Sequence, residues 1–395
     1  MITDSALMNT YARQDVAFTG GEGAWLVDER GERYLDFSSG IGVTSLGHGH
    51  PAVVGALMEQ AGRLWHCSNN VRIPLQELAA RRLVDHSFAE KVFFCNSGGE
   101  AMEAALKLAR YTQKKLGNPD RWRTIVFEGA FHGRTLATVT AGGQPKYTGG
   151  FEPLVDGFDR ARFNDLASVE ALIGPQTAAI MLEPIMGEGG VRVAEPAFMQ
   201  GLRGLCDRHG LLLILDEVQT GIGRTGRLFA HEGQFAGTGM RPDIVATAKG
   251  LGAGFPVGAC LAVGPAATAF TPGVHGTTFG GNPLAMAVAG AVLDQVLAPG
   301  FLTRVQEVGE LLERRLRNLQ AAFPALIQEV RGRGLMRGLR LIVPPPDLVR
   351  AALAQRLLLV GAGDNTVRLL PPLIIGEAEV ELAVEKLFQA LRTLT

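Results

Sequence analysis

Apolar and polar positions change their rhythm along the chain. Two short strand-like runs, 25–28 and 33–37, flank the turn Glu29-Arg30-Gly31 and read as a hairpin. From about residue 51, apolar runs alternate with helical stretches. The runs lie at 92–95, 125–127, 178–182, 211–215, 244–247 and 259–263. Several are apolar throughout, which suits a sheet covered on both faces. The helical stretches include 100–110, 197–209 (closed by Gly210) and 283–297. This succession predicts an α/β fold, with a large domain over 51–295 built on a mostly parallel sheet. A long amphipathic helix follows, to about residue 320. Short strands come next, punctuated by Pro344-Pro345-Pro346 and 361–365, and a last helix covers about 377–393. These elements predict a smaller α+β domain from 1–50 and 296–395, with the N-terminal hairpin packing on the C-terminal third.

Composition narrows the function. Of 395 residues, 47% are hydrophobic and 19% charged, which excludes a disordered chain. A net charge of −1 gives no pull towards nucleic acid or an anionic membrane. The apolar runs are strand-sized, whereas a membrane span needs roughly 20 residues. Residues 1–5 lack the basic start and apolar core of a signal peptide. Cys67, Cys95, Cys206 and Cys260 form no CxxC pair and match no zinc spacing, so reduced thiols, a cytoplasmic location and no metal are expected. No P-loop and no strand-linked GxGxxG is present. Two counts are unusual. There are 51 glycines, and only 7 lysines. Glycines permit tight turns and close backbone approach to a ligand, and each rare lysine carries more information.

Four segments could carry chemistry. Lys249 ends the run 243–248 and enters the loop Gly250-Leu251-Gly252-Ala253-Gly254. Apolar surroundings lower a lysine pKa, and a neutral amine can attack a carbonyl. The segment equally fits a lysine snorkelling into water. Asp216 ends the run 211–215, where open α/β sheets bind ligands. It could hold a proton on a ring nitrogen, or simply cap the next turn. Ser97-Gly98-Gly99-Glu100 joins a strand to a helix with capping-box spacing. Its exposed N–H groups suit an anion, though a capped helix without ligand would look the same. Phe131, beside His132 and Gly133, could wall a flat ring or belong to the core. An amine, an acid, a phosphate cradle and an aromatic plate together form the set that pyridoxal 5′-phosphate requires.

The sequence resembles the class III pyridoxal-phosphate-dependent aminotransferases of fold type I, the aspartate-aminotransferase-like fold. The resemblance runs nearly end to end. It is carried by Gly47-His48-Gly49-His50-Pro51, 97–110, Phe131 to Thr135, Gln144-Pro145-Lys146-Tyr147 and Glu183 to Gly190. It continues through Asp216-Glu217-Val218-Gln219, Gly223-Arg224-Thr225-Gly226, Ala248-Lys249 and His275 to Pro283.

The resemblance implies roles by position. Lys249 is the Schiff-base lysine and proton shuttle, and Asp216 pairs with the pyridinium nitrogen. Gln219 contacts the phenolic oxygen. Phe131 stacks on the ring, with His132 beside it. Gly98 and Gly99 hold the phosphate, supported by Ser97, and Thr278 reaches the phosphate of a neighbouring subunit. A homodimer with shared sites follows. Arg134 and Arg368 bind substrate carboxylates, Arg368 taking the α-carboxylate of glutamate and 2-oxoglutarate. Glu188 pairs with Arg368 when an amino donor is bound. Glu183 opens the segment that carries Glu188 and joins the substrate set.

The activity implied is transfer of the ω-amino group of N2-acetylornithine to 2-oxoglutarate. Succinylornithine, ornithine, 4-aminobutyrate, N-succinyldiaminopimelate and a carrier-bound lysine precursor are alternative donors. Ile41 stands where ornithine aminotransferases carry a pocket tyrosine, which disfavours free ornithine. An aminomutase and a non-catalytic pyridoxal-binding protein are rivals of other classes. An intact acid–lysine pair argues against the last. Three positions depart from the family pattern: Gly99 lacks the usual hydroxyl or alanine of the cofactor turn, Met102 replaces Asn or Gly, and Met186 replaces Gln.

Overall fold

The computed structural model describes residues 6–395; the five residues read above for a signal peptide, which also begin the expected smaller domain, lie outside them. Seven strands form the main sheet. In spatial order they are Lys91–Cys95, Gly258–Ala262, Ile244–Thr247, Leu212–Asp216, Thr177–Leu182, Arg123–Phe127 and Phe158–Ala161. Gly258–Ala262 runs antiparallel to both neighbours, and the other pairings are parallel. The six expected strands appear within two residues of their expected ends.

The central strands read IVAT, LLILD and TAAIML and are buried at every position. They need cover on both faces, and helices supply it. On one side Gly98–Lys115 buries Met102, Ala105 and Ala109. On the other, Pro196–His209 buries Phe198, Leu202 and Cys206. That helix ends where Gly210 takes the left-handed conformation (φ 63°), as the sequence suggests.

A second hydrophobic cluster joins Leu35 and Phe37 of the N-terminal hairpin to Leu312, Leu316, Leu339, Val367 and Leu387. The strands Trp25–Asp28 and Arg33–Asp36 pair antiparallel, and Arg33–Asp36 also pairs with Leu357–Leu358. A separate sheet orders Ile327–Arg333, Met336–Leu341, Thr366–Leu369 and Val360–Ala362. Leu46, although close in sequence to the hairpin, packs in the cluster of the large sheet. The four cysteines are free thiols. Among the described residues, no single helix is long and apolar enough to cross a membrane.

Candidate functional site

Lys91–Cys95, Arg123–Phe127, Thr177–Leu182, Leu212–Asp216 and Ile244–Thr247 point the same way, so their carboxyl ends share one edge of the sheet. Ser97, Phe131, Glu183, Asp216 and Lys249 each sit at or just past one of those ends. They converge on a cavity of about 650 Å3. Gly98, Gly99, His132, Arg134, Glu188 and Gln219 line it too. This is where an open α/β sheet binds a ligand.

Lys249 takes a left-handed conformation (φ 39°) at the start of a short 3-10 turn. A non-glycine residue held there stores strain that the surrounding packing must offset. Burial, and then the positive charge of Arg368, depress its pKa from 10.5 to about 8. The snorkelling alternative therefore fails, because the side chain faces the cavity.

Asp216 Oδ2 lies 2.8 Å from His132 Nδ1, and its Oδ1 accepts from the Val218 N–H. Burial opposes a charge on His132. The hydrogen bond and charge of Asp216, with Glu183 behind, outweigh it and raise the His132 pKa. His132 Nε2 is buried without a hydrogen-bond partner.

Both Glu183 oxygens are occupied by backbone. Oε1 accepts from Phe131 N–H and Oε2 from Gly187 N–H, each at 3.0 Å. Glu183 thus ties together two loops that shape the cavity. Burial and the nearby negative charge of Asp216 raise its pKa.

Ser97 caps the helix Gly98–Lys115, its hydroxyl accepting from Glu100 N–H. The Glu100 carboxylate in turn accepts from the Asn96 N–H. The first-turn N–H groups remain at the cavity wall, backed by the positive end of an 18-residue helix. Gly98 is tightly packed, since a Cβ there would lie 2.7 Å from Val218 Cγ1 and something would have to shift. Gly99 is not: a Cβ would meet only Thr135 Cγ2 at 3.7 Å and Ser97 Oγ at 4.0 Å.

Arg368 is 1% exposed. Its Nη2 lies 2.6 Å from Glu188 Oε1 and donates to the Gly361 carbonyl, while Nη1 donates to Gln219 Oε1 at 3.3 Å. Its Nε is buried with no partner. Arg134 is exposed, with Cζ 4.0 Å from the Tyr147 ring centroid and 5.5 Å from that of Phe131. Thr278 is exposed and lies outside this cavity.

Residues not singled out beforehand also build the wall. Val218, Thr135 and Phe255 are part of the lining. The turn Ser39-Gly40-Ile41-Gly42, with φ of 47°, 59°, 67° and 78°, delivers Val43 to the cavity. Asp36 Oδ1 fixes its start by accepting from the N–H groups of Ser38 and Ser39.

The residues present fit a flat phosphorylated aldehyde. A depressed lysine, a carboxylate, an aromatic face and a helix N-terminus surround one space, and Gly98 lets backbone approach where a side chain would clash. Among the described residues, no group of three or more His, Cys, Asp or Glu is placed to hold a metal ion.

The family model for class-III aminotransferases matches residues 8–391. The acetylornithine aminotransferase of Brucella melitensis biotype 1 is 55% identical over 388 residues, covering 96% of this chain and 95% of the relative. The crystal structure of N-acetylornithine aminotransferase from Stenotrophomonas maltophilia superposes with a TM-score of 0.84 at 38% identity, covering 97% of each chain. An ornithine aminotransferase from Toxoplasma gondii, with partial occupancy of pyridoxal phosphate at its active site, gives 0.93 at 32% identity, covering 98% of this chain and 92% of that one. A match of this length, on a cavity of this construction, means that the chain belongs to the class III aminotransferases.

Proposed function

We propose that the chain transfers the ω-amino group of N2-acetylornithine to 2-oxoglutarate, giving N-acetylglutamate 5-semialdehyde and glutamate. Pyridoxal phosphate is its cofactor, and when bound supplies an electron sink for the carbon that carries the transferred amine. Lys249, Asp216, Gln219, Phe131 and the turn Ser97-Gly98-Gly99 would hold it. With a pKa near 8, Lys249 keeps a neutral fraction at neutral pH and can take and return a proton at Nζ. Asp216, held in place by His132 and the Val218 N–H, would pair with the ring nitrogen of the bound cofactor. Glu183 acts through Phe131 and Gly187, as a positioning residue.

The observation that carries this reading is the Arg368–Glu188 pair beside Lys249. One substrate, 2-oxoglutarate, brings an α-carboxylate close to the reacting carbon and needs a free arginine. The other brings its ω-carbon there and needs that arginine neutralised. A short pair whose Arg368 Nε is still unpartnered serves both. Arg134 is left for a carboxylate at the far end of the donor. The names of the relatives above support the acetylated donor.

The division into a lobe over 51–295 and a lobe of 1–50 with 296–395 belongs to the same proposal. So do a homodimer and a cytoplasmic location. The helix Pro51–Ala61 is rich in apolar residues and buries none of them. Met58, Trp65, Val71 and Phe279 are 68%, 63%, 57% and 62% exposed. A second copy would cover this face and bring Thr278 to its partner's phosphate site. Reduced thiols support the location.

The test is a panel of amino donors with 2-oxoglutarate as acceptor, reading glutamate formation. N2-acetylornithine should exceed ornithine and 4-aminobutyrate. A preference for 4-aminobutyrate would overturn the donor assignment.

A further inference from the structure

Arg224 is 2% exposed, and among the described residues it forms no ion pair. Burial lowers its pKa to about 10, against the charge of Asp36. A cation in such a place needs hydrogen bonds to offset the loss of water. Its Nη1 donates to the carbonyls of Leu335, at 3.0 Å, and of Pro371. The Leu335 N–H in turn donates to the Arg224 carbonyl at 3.1 Å. These bonds span two packing clusters. Ile222 and Leu228, on either side of Arg224, belong to the cluster of the large sheet, and Leu335 and Leu373 belong to the second.

The same two segments meet again in the cavity. Gln219, five residues before Arg224, accepts from Arg368 Nη1, and Arg368 lies three residues before Pro371. Pro371 and Pro372 have no N–H, so at these positions the segment can be gripped only by its carbonyls. Further on, Arg304 of the helix Phe301–Ala322 donates to the carbonyls of Leu373, Ile374 and Ile375. That helix packs in the second cluster, so Arg304 secures the segment without reference to Gln219.

We propose that Arg224 is a positioning residue for Arg368, and that its grip on Pro371 and Leu335 sets where the Arg368 guanidinium meets a substrate α-carboxylate. Arg224 does not line the cavity, so it acts through the backbone that carries Arg368. The inference rests on the reading of Arg368 given above. A small displacement of a carboxylate anchor is costly, because the reacting carbon must reach Lys249 at the same time.

The experiment measures both half-reactions of the holoenzyme by cofactor absorbance, in the wild type, Arg224→Met, Arg224→Lys, Arg304→Met and Arg368→Ala. In Arg224→Met the KM for 2-oxoglutarate should rise about ten-fold, with kcat and the KM for acetylornithine within about two-fold of wild type. Arg224→Lys keeps a charged donor for the two carbonyls and should restore most of the loss. Arg304→Met should lower Tm without moving the ratio of the two KM values. If Arg224→Met does not fold, Arg224→Gln carries the same expectation, being too short to reach both carbonyls. A lower Tm with an unmoved ratio in the Arg224 variants, equal changes for both substrates, or a Lys variant no better than Met overturns the positioning role and leaves the reading of Arg368 standing. An Arg368→Ala enzyme with unchanged KM for 2-oxoglutarate overturns that reading and this proposal with it.

Discussion

Glu188 Oε1 and Arg368 Nη2 are 2.6 Å apart, and the arginine is all but sealed from water. Removing one partner of such a pair leaves the other charge buried and uncompensated. In the proposed reaction that charge is what 2-oxoglutarate binds.

Glu188→Gln should therefore lower the KM for 2-oxoglutarate and raise that for acetylornithine. The ratio of the two should move about ten-fold. Arg368→Ala should cut kcat/KM for 2-oxoglutarate by at least about 30-fold. Half-reactions followed by cofactor absorbance separate the two substrates. Equal changes in both would remove the switch.

Much of this site is legible in the chain because strand ends are. Runs such as 211–215 are apolar throughout and end on a charge or a small polar turn, so Asp216, Lys249 and Ser97 stand out. Phe158–Ala161 escapes because it is an edge strand with Asp159 and Arg160 in its middle. Val218 escapes because an apolar residue at a ligand wall looks like any core residue. The turn 39–42 escapes because nothing local demands four left-handed residues. The turn is held from outside it, by Asp36 at its start and by the hydrogen bond that the Ser45 hydroxyl donates to the Gly250 carbonyl just beyond it. Glu183 was legible as a functional position, but its backbone partners Phe131 and Gly187 are far away in sequence or hidden in a loop.

Lys249 must be neutral to attack the aldehyde of the cofactor, and its pKa is lowered to about 8. Cofactor uptake by the apoprotein should accelerate with pH and level off above about 8. Stopped-flow absorbance reads the rate. A midpoint near the ordinary lysine value would mean that burial does not tune this amine. Lys249→Arg should abolish the borohydride-stable attachment altogether.

His132 has the opposite sign. Its pKa is raised in the folded chain above the ordinary 6.5. Its proton therefore stabilises the fold fully below about pH 6.5, and that stabilisation is lost as pH rises through the raised value. His132→Gln should lose this dependence. The Tm of the wild-type apoprotein should fall relative to the variant over that window, by about 1–2 °C for each kcal/mol released. Calorimetry across pH 6–9 checks the direction, and parallel Tm curves would exclude a charged His132.

The two glycines of the phosphate turn should respond differently. Gly98→Ala sets a Cβ 2.7 Å from Val218 Cγ1, so something must shift. Overpacking of this kind costs about 1–3 kcal/mol, and cofactor affinity should fall with stability. Gly99→Ser has ordinary contact distances and brings a hydroxyl to the cavity wall. One added hydrogen bond of about 1 kcal/mol should tighten cofactor Kd roughly five-fold. Absorbance titration of the apoproteins gives both constants. Weaker binding in Gly99→Ser would place the phosphate elsewhere.

Thr278 lies outside the cavity of its own chain and beside exposed Phe279. If it serves a neighbouring subunit, two damaged chains should repair each other. Lys249→Ala homodimers should be inactive, and Thr278→Val homodimers should bind cofactor weakly. In a mixed dimer, one site receives Lys249 from the second chain and Thr278 from the first, and is intact. Its other site carries both defects. Random mixing makes half the dimers mixed, so about a quarter of all sites should regain full function. The measurement is activity after co-refolding, at cofactor concentrations too low to fill the Thr278→Val sites. Activity no higher than the average of the parents would show that Thr278 works within its own chain, or not at all.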